Sequence, residues 1–325
     1  MPTIIDVARE AGVSFKTVSR VFNGEDTVRP VTREKVREAA RRIGYSVNPA
    51  ARALRSKASR KIGLLLNNPS LSYSETVQIG ALLAMQSEGY QLVMLDGLTA
   101  FHAEEGLAGL IACPPLANDP DILKALSESH LPFVRVGAER VSQIGDKVGI
   151  DDRAAAREMT DYLIKLGHRR IGFIEGAAIY DVSRRRLAGF NDAIHRSSGA
   201  VQSITASGDF SYASGLRAAE DLLSKDNRPT AIFAANDEMA SACLAAAYKM
   251  NLRVPDELSV VGFDDSPVSR AVYPAITTVR QGVRDLLSAS VDILSGRMSG
   301  DTRPAHDIIH AHEVIVRDSA GPPSE

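Results

Sequence analysis

Apolar positions follow two different rhythms along the 325 residues. From Ile4 to Ile43 they recur at helical spacing in three short stretches. Ile4, Val7, Ala8 and Ala11 fall at i, i+3, i+4 and i+7, the stripe of a short amphipathic helix. Thr3 is a good N-cap for it, Asp6 completes a capping box, and Gly12 supplies the left-handed residue that ends it. Ser14 caps a second helix only two residues later, with Val18, Val21 and Phe22 along one side. Helices joined this tightly must cross steeply, which is helix-turn-helix geometry. After the turn-forming NGEDTVRPV, Thr32 is expected to cap a third helix in which Val36, Ala39, Ala40 and Ile43 repeat the spacing, closed by Gly44. Three such helices share one small core, and about 46 residues is marginal for a domain alone.

From Lys61 the rhythm changes. Nearly continuous apolar runs of strand length occur at 62–67, 91–95, 109–113, 133–137, 170–176, 230–236 and 258–265. Helical segments lie between them, among them Glu75–Glu88, Ala154–Leu166, Ser214–Leu223 and Met239–Met250. Strands apolar on both faces and alternating with helices predict parallel sheets covered on both sides. The predicted fold class is therefore α/β, an all-α helix-turn-helix headpiece followed by two doubly wound parallel-sheet subdomains. Such sheets place ligands at the carboxyl ends of their strands, so the cleft between the subdomains is the expected site.

The stretch from Tyr45 to Arg60 fits neither rhythm. Asn48 can cap, Pro49 suits a first helical position, and AARALR is helix-prone. One and a half turns are not stable in isolation, so order there would depend on packing against something else.

Charge separates the two regions further. The net charge of −2 conceals 14 Lys+Arg against 6 Asp+Glu in residues 1–61, a balance of +8 that leaves −10 for the remainder. A compact basic module on an acidic body points to a polyanion partner for the N-terminal region alone. Cys113 and Cys243 have no metal-ligand spacing and read as free thiols of a reducing compartment. MPTIID carries no export signal, and no stretch approaches the ~18–20 apolar residues of a membrane span. A cytoplasmic protein without membrane partners is the expectation.

Candidate chemistry falls in two places. On the second helix, Lys16, Ser19, Arg20 and Asn23 lie opposite the apolar face, with Phe15 at its border. Arg can fork to guanine, Asn and Ser can meet base edges or phosphates, and an aromatic edge can touch a thymine methyl, as a major groove requires. A helix pair in any bundle could carry similar residues. The third helix presents Arg33, Lys35, Arg37, Arg41 and Arg42 outward, within possible reach of phosphates. In the body, polar residues collect where strands end: Asp151 and Asp152 after KVGI, Arg184 to Arg186 before a helix, Asn236 and Asp237, Asp264 and Asp265. One Arg, one amide and two carboxylates can share the hydroxyls of a sugar. Each of these could instead cap the helix that follows, the reading preferred for Asp237 and Asp265. Trp is absent and aromatic residues make up 5%, so any stacking platform must be Tyr or Phe, with Tyr73 and Phe210 the candidates. The seven His show no metal spacing. His310 and His312 would alternate on a solvated strand edge. GxSxG, Walker A, GxGxxG and HExxH are missing, and no nucleophile has a convincing base, so neither catalysis nor a cofactor or metal is expected.

The run DVAxxAGVSxxTVSRVxN, matched from Asp6 to Asn23, resembles the DNA-binding headpiece of the lactose-repressor (LacI) family. LGHRRIGFI (166–174), SRRRLAGF (183–190), RPTAIFAAND (228–237), LSVVGFDD (258–265) and TTVRQ (277–281) extend the resemblance over nearly the whole chain. It implies a body of periplasmic-binding-protein type I. It also implies a headpiece at 1–46, a hinge helix at 47–60, and an effector-binding and dimerisation domain at 61–325. The N-subdomain would span about 61–155 and 280–309 and the C-subdomain about 156–279 and 310–325, with crossings near Ala155, Val279 and Ile309.

The implied activity is that of a sequence-specific transcription regulator, most often a repressor. It would bind a pseudo-palindromic double-stranded operator as a homodimer or tetramer and respond to a small-molecule effector, a carbohydrate before others. DNA contacts would come from Thr3, Ser14, Phe15, Lys16, Thr17, Ser19, Arg20, Asn23, Tyr45 and Asn48. In the hinge, Leu54 would be the minor-groove wedge, with Ala51 and Arg55 beside it. Asp152, Arg186, Asn236 and Asp264 occupy the effector-contacting positions, alongside Asn67, Ser72 and Tyr73 after the first strand and Phe210 as platform. The alternatives are a solute receptor, a carbohydrate enzyme, and an architectural DNA-binding protein indifferent to small molecules. Two departures from the family pattern stand out: Gly97 to Ala108 is about half the usual connection, and Gly282 replaces a bulkier residue or Pro.

Overall fold

The computed structural model describes residues 4–22, 28–43, 59–138 and 144–324. The chain divides into two compact units, Met1–Ser59 and Arg60–Glu325.

In the first unit, α1 (Ile4–Ala11), α2 (Phe15–Phe22) and α3 (Pro30–Arg42) close on Val7, Ala8, Ala11, Val18, Val21, Val28, Val36, Ala39 and Ala40, all buried. Gly12 takes φ +59°, and the Val13 amide reaches back to the Ala8 carbonyl at 3.1 Å, the hydrogen bond of a Schellman stop. Ser14 caps α2 through the Thr17 amide at 3.1 Å, so the turn closes as the residues predict. Thr32 does not cap α3. That helix begins at Pro30, whose fixed φ suits the first turn, and Thr32 is already inside it. Thr3, Asn23, Gly44, Tyr45, Asn48, Ala51, Leu54 and Arg55, and with them the hinge, lie outside the described residues, as does the side chain of Ser19.

The second unit holds two parallel sheets. β1 (Lys61–Leu65), β2 (Gln91–Leu95), β3 (Leu107–Ala112), β4 (Phe133–Val136), β5 (Asp146–Ile150) and β11 (Asp307–His310) form one, in the order β11-β5-β4-β3-β1-β2. β6 (Arg170–Ile174), β7 (Gln202–Ala206), β8 (Ala231–Ala234) and β9 (Ser259–Val261) form the other, in the order β7-β6-β8-β9. β10 (Thr278–Arg280), which follows the short helix α11 (Val268–Ala271), pairs antiparallel with β12 (Glu313–Ile315).

Alternation along β1 sorts the first sheet's faces. Ile62 and Leu64 pack with α4 (Leu71–Ser87) and α12 (Val283–Met298), whereas Leu65 packs with Phe101 of α5 (Leu98–Ala103) and Ile122 and Leu126 of α6 (Pro120–Glu128). The second sheet is covered by α7 (Asp152–Lys165) with α8 (Asp181–Arg196), and by α9 (Tyr212–Leu223) with α10 (Asp237–Lys249). At its centre the Phe173 ring stacks on Phe190 at 4.9 Å and meets Phe233 edge-on at 5.2 Å.

β5 and β7 are absent from the apolar runs of the sequence. β7 is an edge strand with little burial, and β5 opens on Asp146 and Lys147, both buried in ion pairs with Arg297 and Asp307. His310 and His312 do not share a strand: His310 ends β11, while His312 stands before β12 with its Nε2 3.0 Å from Glu158. The connection from Gly97 to Ala108 holds one short helix, α5. Gly282, at φ +66°, leads into α12. Among the described residues no helix is long and apolar enough to cross a membrane, and no cluster of His, Cys, Asp or Glu could hold a metal ion.

Candidate functional site

Strands of both sheets deliver polar residues from their carboxyl ends to one cavity. Asn68, Ser70 and Tyr73 follow β1, Gly137 follows β4, and Asp152 follows β5. From the other sheet, Tyr180 and Arg186 follow β6, Phe210 follows β7, Asn236 follows β8 and Asp264 follows β9, while Gln281 follows β10 of the antiparallel pair. The cavity is closed down to about 30 Å³, room for on the order of two waters.

Arg186 is its centre. Buried in the first turns of α8, its Nε donates to Asp152 Oδ1 at 3.0 Å and its Nη1 to the Ala235 carbonyl at 2.6 Å. Nη1 also stands 3.5 Å from Asp264 Oδ1, and the guanidinium lies 3.6 Å from the centre of the Phe263 ring. Neighbouring Arg185 reaches Asp152 Oδ2 at 3.1 Å and Asp181 Oδ2 at 2.9 Å. Gln281 Nε2 donates to Asp264 Oδ1 at 2.6 Å. Burial pushes the Asp264 carboxyl up to about 7, against the pull of Arg186 and Gln281 and with some help from Asp152. Burial likewise raises the Tyr73 phenol well above its ordinary value.

Backbone strain gathers at the same place. Phe210 (φ +73°), Asp264 (φ +119°) and Asp265 (φ +53°) are non-glycine residues in conformations that cost free energy and persist only where neighbours impose them. Asn236 Nδ2 holds the Phe210 carbonyl at 2.9 Å. A Cβ at Gly176 would sit 2.0 Å from the Phe210 ring, so only glycine leaves that ring its place. Asp265 is braced by Arg280 at 2.8 Å and by Arg317.

Six of the eight residues expected at an effector site line this cavity: Tyr73, Asp152, Arg186, Phe210, Asn236 and Asp264. Asn67 and Ser72 do not. Asn67 is exposed and donates to the Asp96 carbonyl, while the Ser72 amide bonds Glu238 Oε2 at 3.3 Å. Asn236 combines both readings of a strand-end amide, since its Oδ1 also caps α10 through the Met239 amide. Asp151 is a cap, bonding the Ala154 amide. Arg184 to Arg186 sit inside α8 rather than before it.

Asp237 and Asp265 correct the capping assignment. Asp237 is buried and accepts from the Ser266 amide and hydroxyl and from Thr278 Oγ1 at 2.5 Å, tying the β8–α10 turn to β10. Burial holds its carboxyl well above the usual range. Asn68, Ser70, Tyr180 and Gln281 escaped the sequence reading. Gln281 stands in the TTVRQ run, whose short strand ends just before it, and was the one signal available.

On the headpiece, Ser14, Phe15 and Lys16 are exposed and Thr17 and Arg20 half-buried, while Val18 and Val21 fill the core. The outer face of α3 is partly neutralised from within, by Glu34 on Arg41 at 3.1 Å and Glu10 on Arg42 at 2.9 Å.

Residues 3–48 match the bacterial regulatory proteins of the lacI family, and residues 160–320 match a periplasmic binding protein-like domain. The HTH-type transcriptional regulator CelR of Thermobifida fusca is 33% identical over 339 residues, covering 98% of this chain and 98% of its own. The solved complex of the transcriptional regulator CelR with cellobiose is similar at TM-score 0.73 and 29% identity, over 98% of this chain and 100% of that one. The lac repressor dimer bound to operator and the anti-inducer ONPF gives 0.72 and 28%, over 98% and 99%.

Proposed function

The chain belongs to the lacI family of bacterial regulatory proteins, DNA-binding transcriptional repressors with an effector-binding domain, and from that premise we propose how this member works. A carbohydrate or carbohydrate derivative binds among Tyr73, Asp152, Arg186, Phe210, Asn236 and Asp264 and sets the affinity of the headpiece for a pseudo-palindromic operator. The observation that carries this is Arg186, held between two carboxylates of different strands. Each vicinal hydroxyl pair of a sugar can donate to a carboxylate and accept from a guanidinium in such an array. A cavity of about 30 Å³ is far below the roughly 300 Å³ at which ligand sites begin, so binding has to open the cleft. That requirement gives the ligand a different affinity for the open and shut forms, which is what an effector needs. CelR, the relative solved with cellobiose, supports a carbohydrate here.

In the headpiece, Ser14, Phe15, Lys16, Thr17, Arg20 and, from the family pattern, Thr3, Ser19 and Asn23 meet the major groove. Tyr45, Asn48, Ala51, Leu54 and Arg55 serve the hinge. The proposed division is headpiece to residue 46, hinge to 60, and a two-part body beyond. Two copies pair through the body, a reading supported by the exposed tyrosines Tyr212, Tyr248 and Tyr273 around one open groove. The protein then acts in the cytoplasm, at the chromosome.

A thermal-shift screen of the full chain over sugars and nucleobases tests the cleft. A specific ligand at 100 times its Kd adds ~2.7 kcal/mol to the fold, and Arg186→Ala should abolish that gain. Duplex selection at low salt tests the headpiece, where equal affinity for palindromic and scrambled sequences would count against it.

A further inference from the structure

Resting on the reading of this cleft as a carbohydrate site, we propose that its ligand is an uncharged polyol, and that phosphorylated and carboxylated sugars are rejected. The ground is how the charges are already matched. Arg186 is the one cation among the described residues lining the cavity, and it touches Asp152 at 3.0 Å and Asp264 at 3.5 Å. Arg185, the cation next to it, touches Asp152 at 3.1 Å and Asp181 at 2.9 Å. Each of these two guanidiniums therefore meets two carboxylates, and with Arg184, which pairs with Asp181 at 2.9 Å, the network holds three carboxylates for three arginines. Burial keeps Asp264 partly protonated near neutral pH, but Arg184 is more than half exposed to solvent, so on the cavity side Asp152 and Asp181 face the two guanidiniums of Arg185 and Arg186.

An anionic group entering this wall would have to take a guanidinium away from a carboxylate. The displaced carboxylate would remain buried without its partner, Asp152 being about as closed off as Arg186. A hydroxyl makes no such demand, because it donates to the carboxylate and accepts from the guanidinium without altering the charge balance. The amide side chains of the cavity give an anion little more. Both ends of Asn236 are committed, to Phe210 and to Met239. Asn68 is committed to Ser70 and Pro114, and Gln281 to Asp264.

The test sets matched ligands against the full chain by calorimetry: glucose with glucose 6-phosphate and glucuronate, ribose with ribose 5-phosphate, cellobiose with cellobionate. 6-O-methylglucose controls for bulk. The expected result is that wherever a pair binds, the neutral member wins by tenfold or more and the methyl ether stays with its parent. Asp181→Asn, which loosens Arg185 from outside the cavity, should narrow the gap at least threefold, and Asp264→Asn gives a second route to the same effect. The proposal is overturned if a charged member binds as tightly as its neutral parent. It is equally overturned if the methyl ether is rejected as strongly as the phosphate, or if neither variant narrows the gap. Binding by an anion leaves the carbohydrate site standing and removes only this inference, whereas silence from every pair removes the site itself.

Discussion

Asp264 shows what one residue's surroundings add to its chemistry. Its carboxyl titrates near 7 in the fold because burial penalises the charged form, against about 4 in an unfolded chain. Between those values the folded state keeps a proton that the unfolded state has released. The stabilisation is complete below about pH 4 and is lost as pH rises through 7. His168 slopes the other way: burial lowers its pKa, so its contribution is present above about 6.5 and fades as pH falls. Comparing variant with parent cancels His168. Asp264→Asn should therefore raise the melting temperature relative to the parent more at pH 8 than at pH 5, and scanning calorimetry at both checks it. The same residue marks the limit of reading a site from sequence. Asp152, Arg186, Asn236 and Asp264 are legible because polar side chains interrupt apolar runs where strands end. Asp264 and Asp265 are adjacent and alike on paper, and so are Asn236 and Asp237 in position. Asp264 and Asp265 both take positive φ and Asn236 and Asp237 are both buried, so which of each pair faces the cavity is decided by the path of the turn at each strand end, which a residue type does not record.

Elements were more legible than the residues between them, and for a physical reason. Strands buried on both faces announce themselves as apolar runs, whereas β5 hides because its first two positions are charged and buried as ion pairs. Helix packing is less visible still. α7 and α8 approach so closely that a Cβ at Gly189 would lie 2.1 Å from the Arg153 carbonyl and 2.9 Å from the Arg157 amide. Both are backbone atoms of a neighbouring helix and cannot step aside cheaply. Gly189→Ala gains up to ~1 kcal/mol of helix propensity but suffers overpacking of ~1–3 kcal/mol, so a lower urea midpoint is expected. Gly296 in α12 is the control. A Cβ there would make an ordinary 3.6 Å contact with Asp301, and Gly296→Ala should be neutral or stabilising. In the headpiece, α2 and α3 should differ in kind. Arg20→Ala should cost ~1–3 kcal/mol on the preferred operator and relax its sequence preference. Lys35→Ala, on the outer face of α3, should weaken all duplexes alike and reduce the salt slope by about 1. Titrations of selected and scrambled duplexes over a salt series separate the two outcomes.

At the scale of the whole molecule the chain is two compact units of opposite charge balance, and regulation requires that they exchange free energy. Thermodynamic linkage makes that requirement measurable without any assumption about the route. If a cleft ligand changes operator affinity by some factor, saturating operator must change ligand affinity by the same factor, typically about 5–150-fold or ~1–3 kcal/mol. Calorimetric ligand titrations of the free and operator-saturated protein should thus give a ratio of Kd values equal to the ratio of operator affinities with and without ligand. The small cavity gives the difference a place to arise, because a ligand that needs the cleft to open favours whichever state has already opened it. Arg186→Ala, which removes the central side chain of the cleft, should then drive both ratios toward one. Two unequal ratios would mean that ligand and operator are not linked through one equilibrium. Equal ratios of one in the parent would describe a DNA-binding protein whose cleft carries no message to its headpiece.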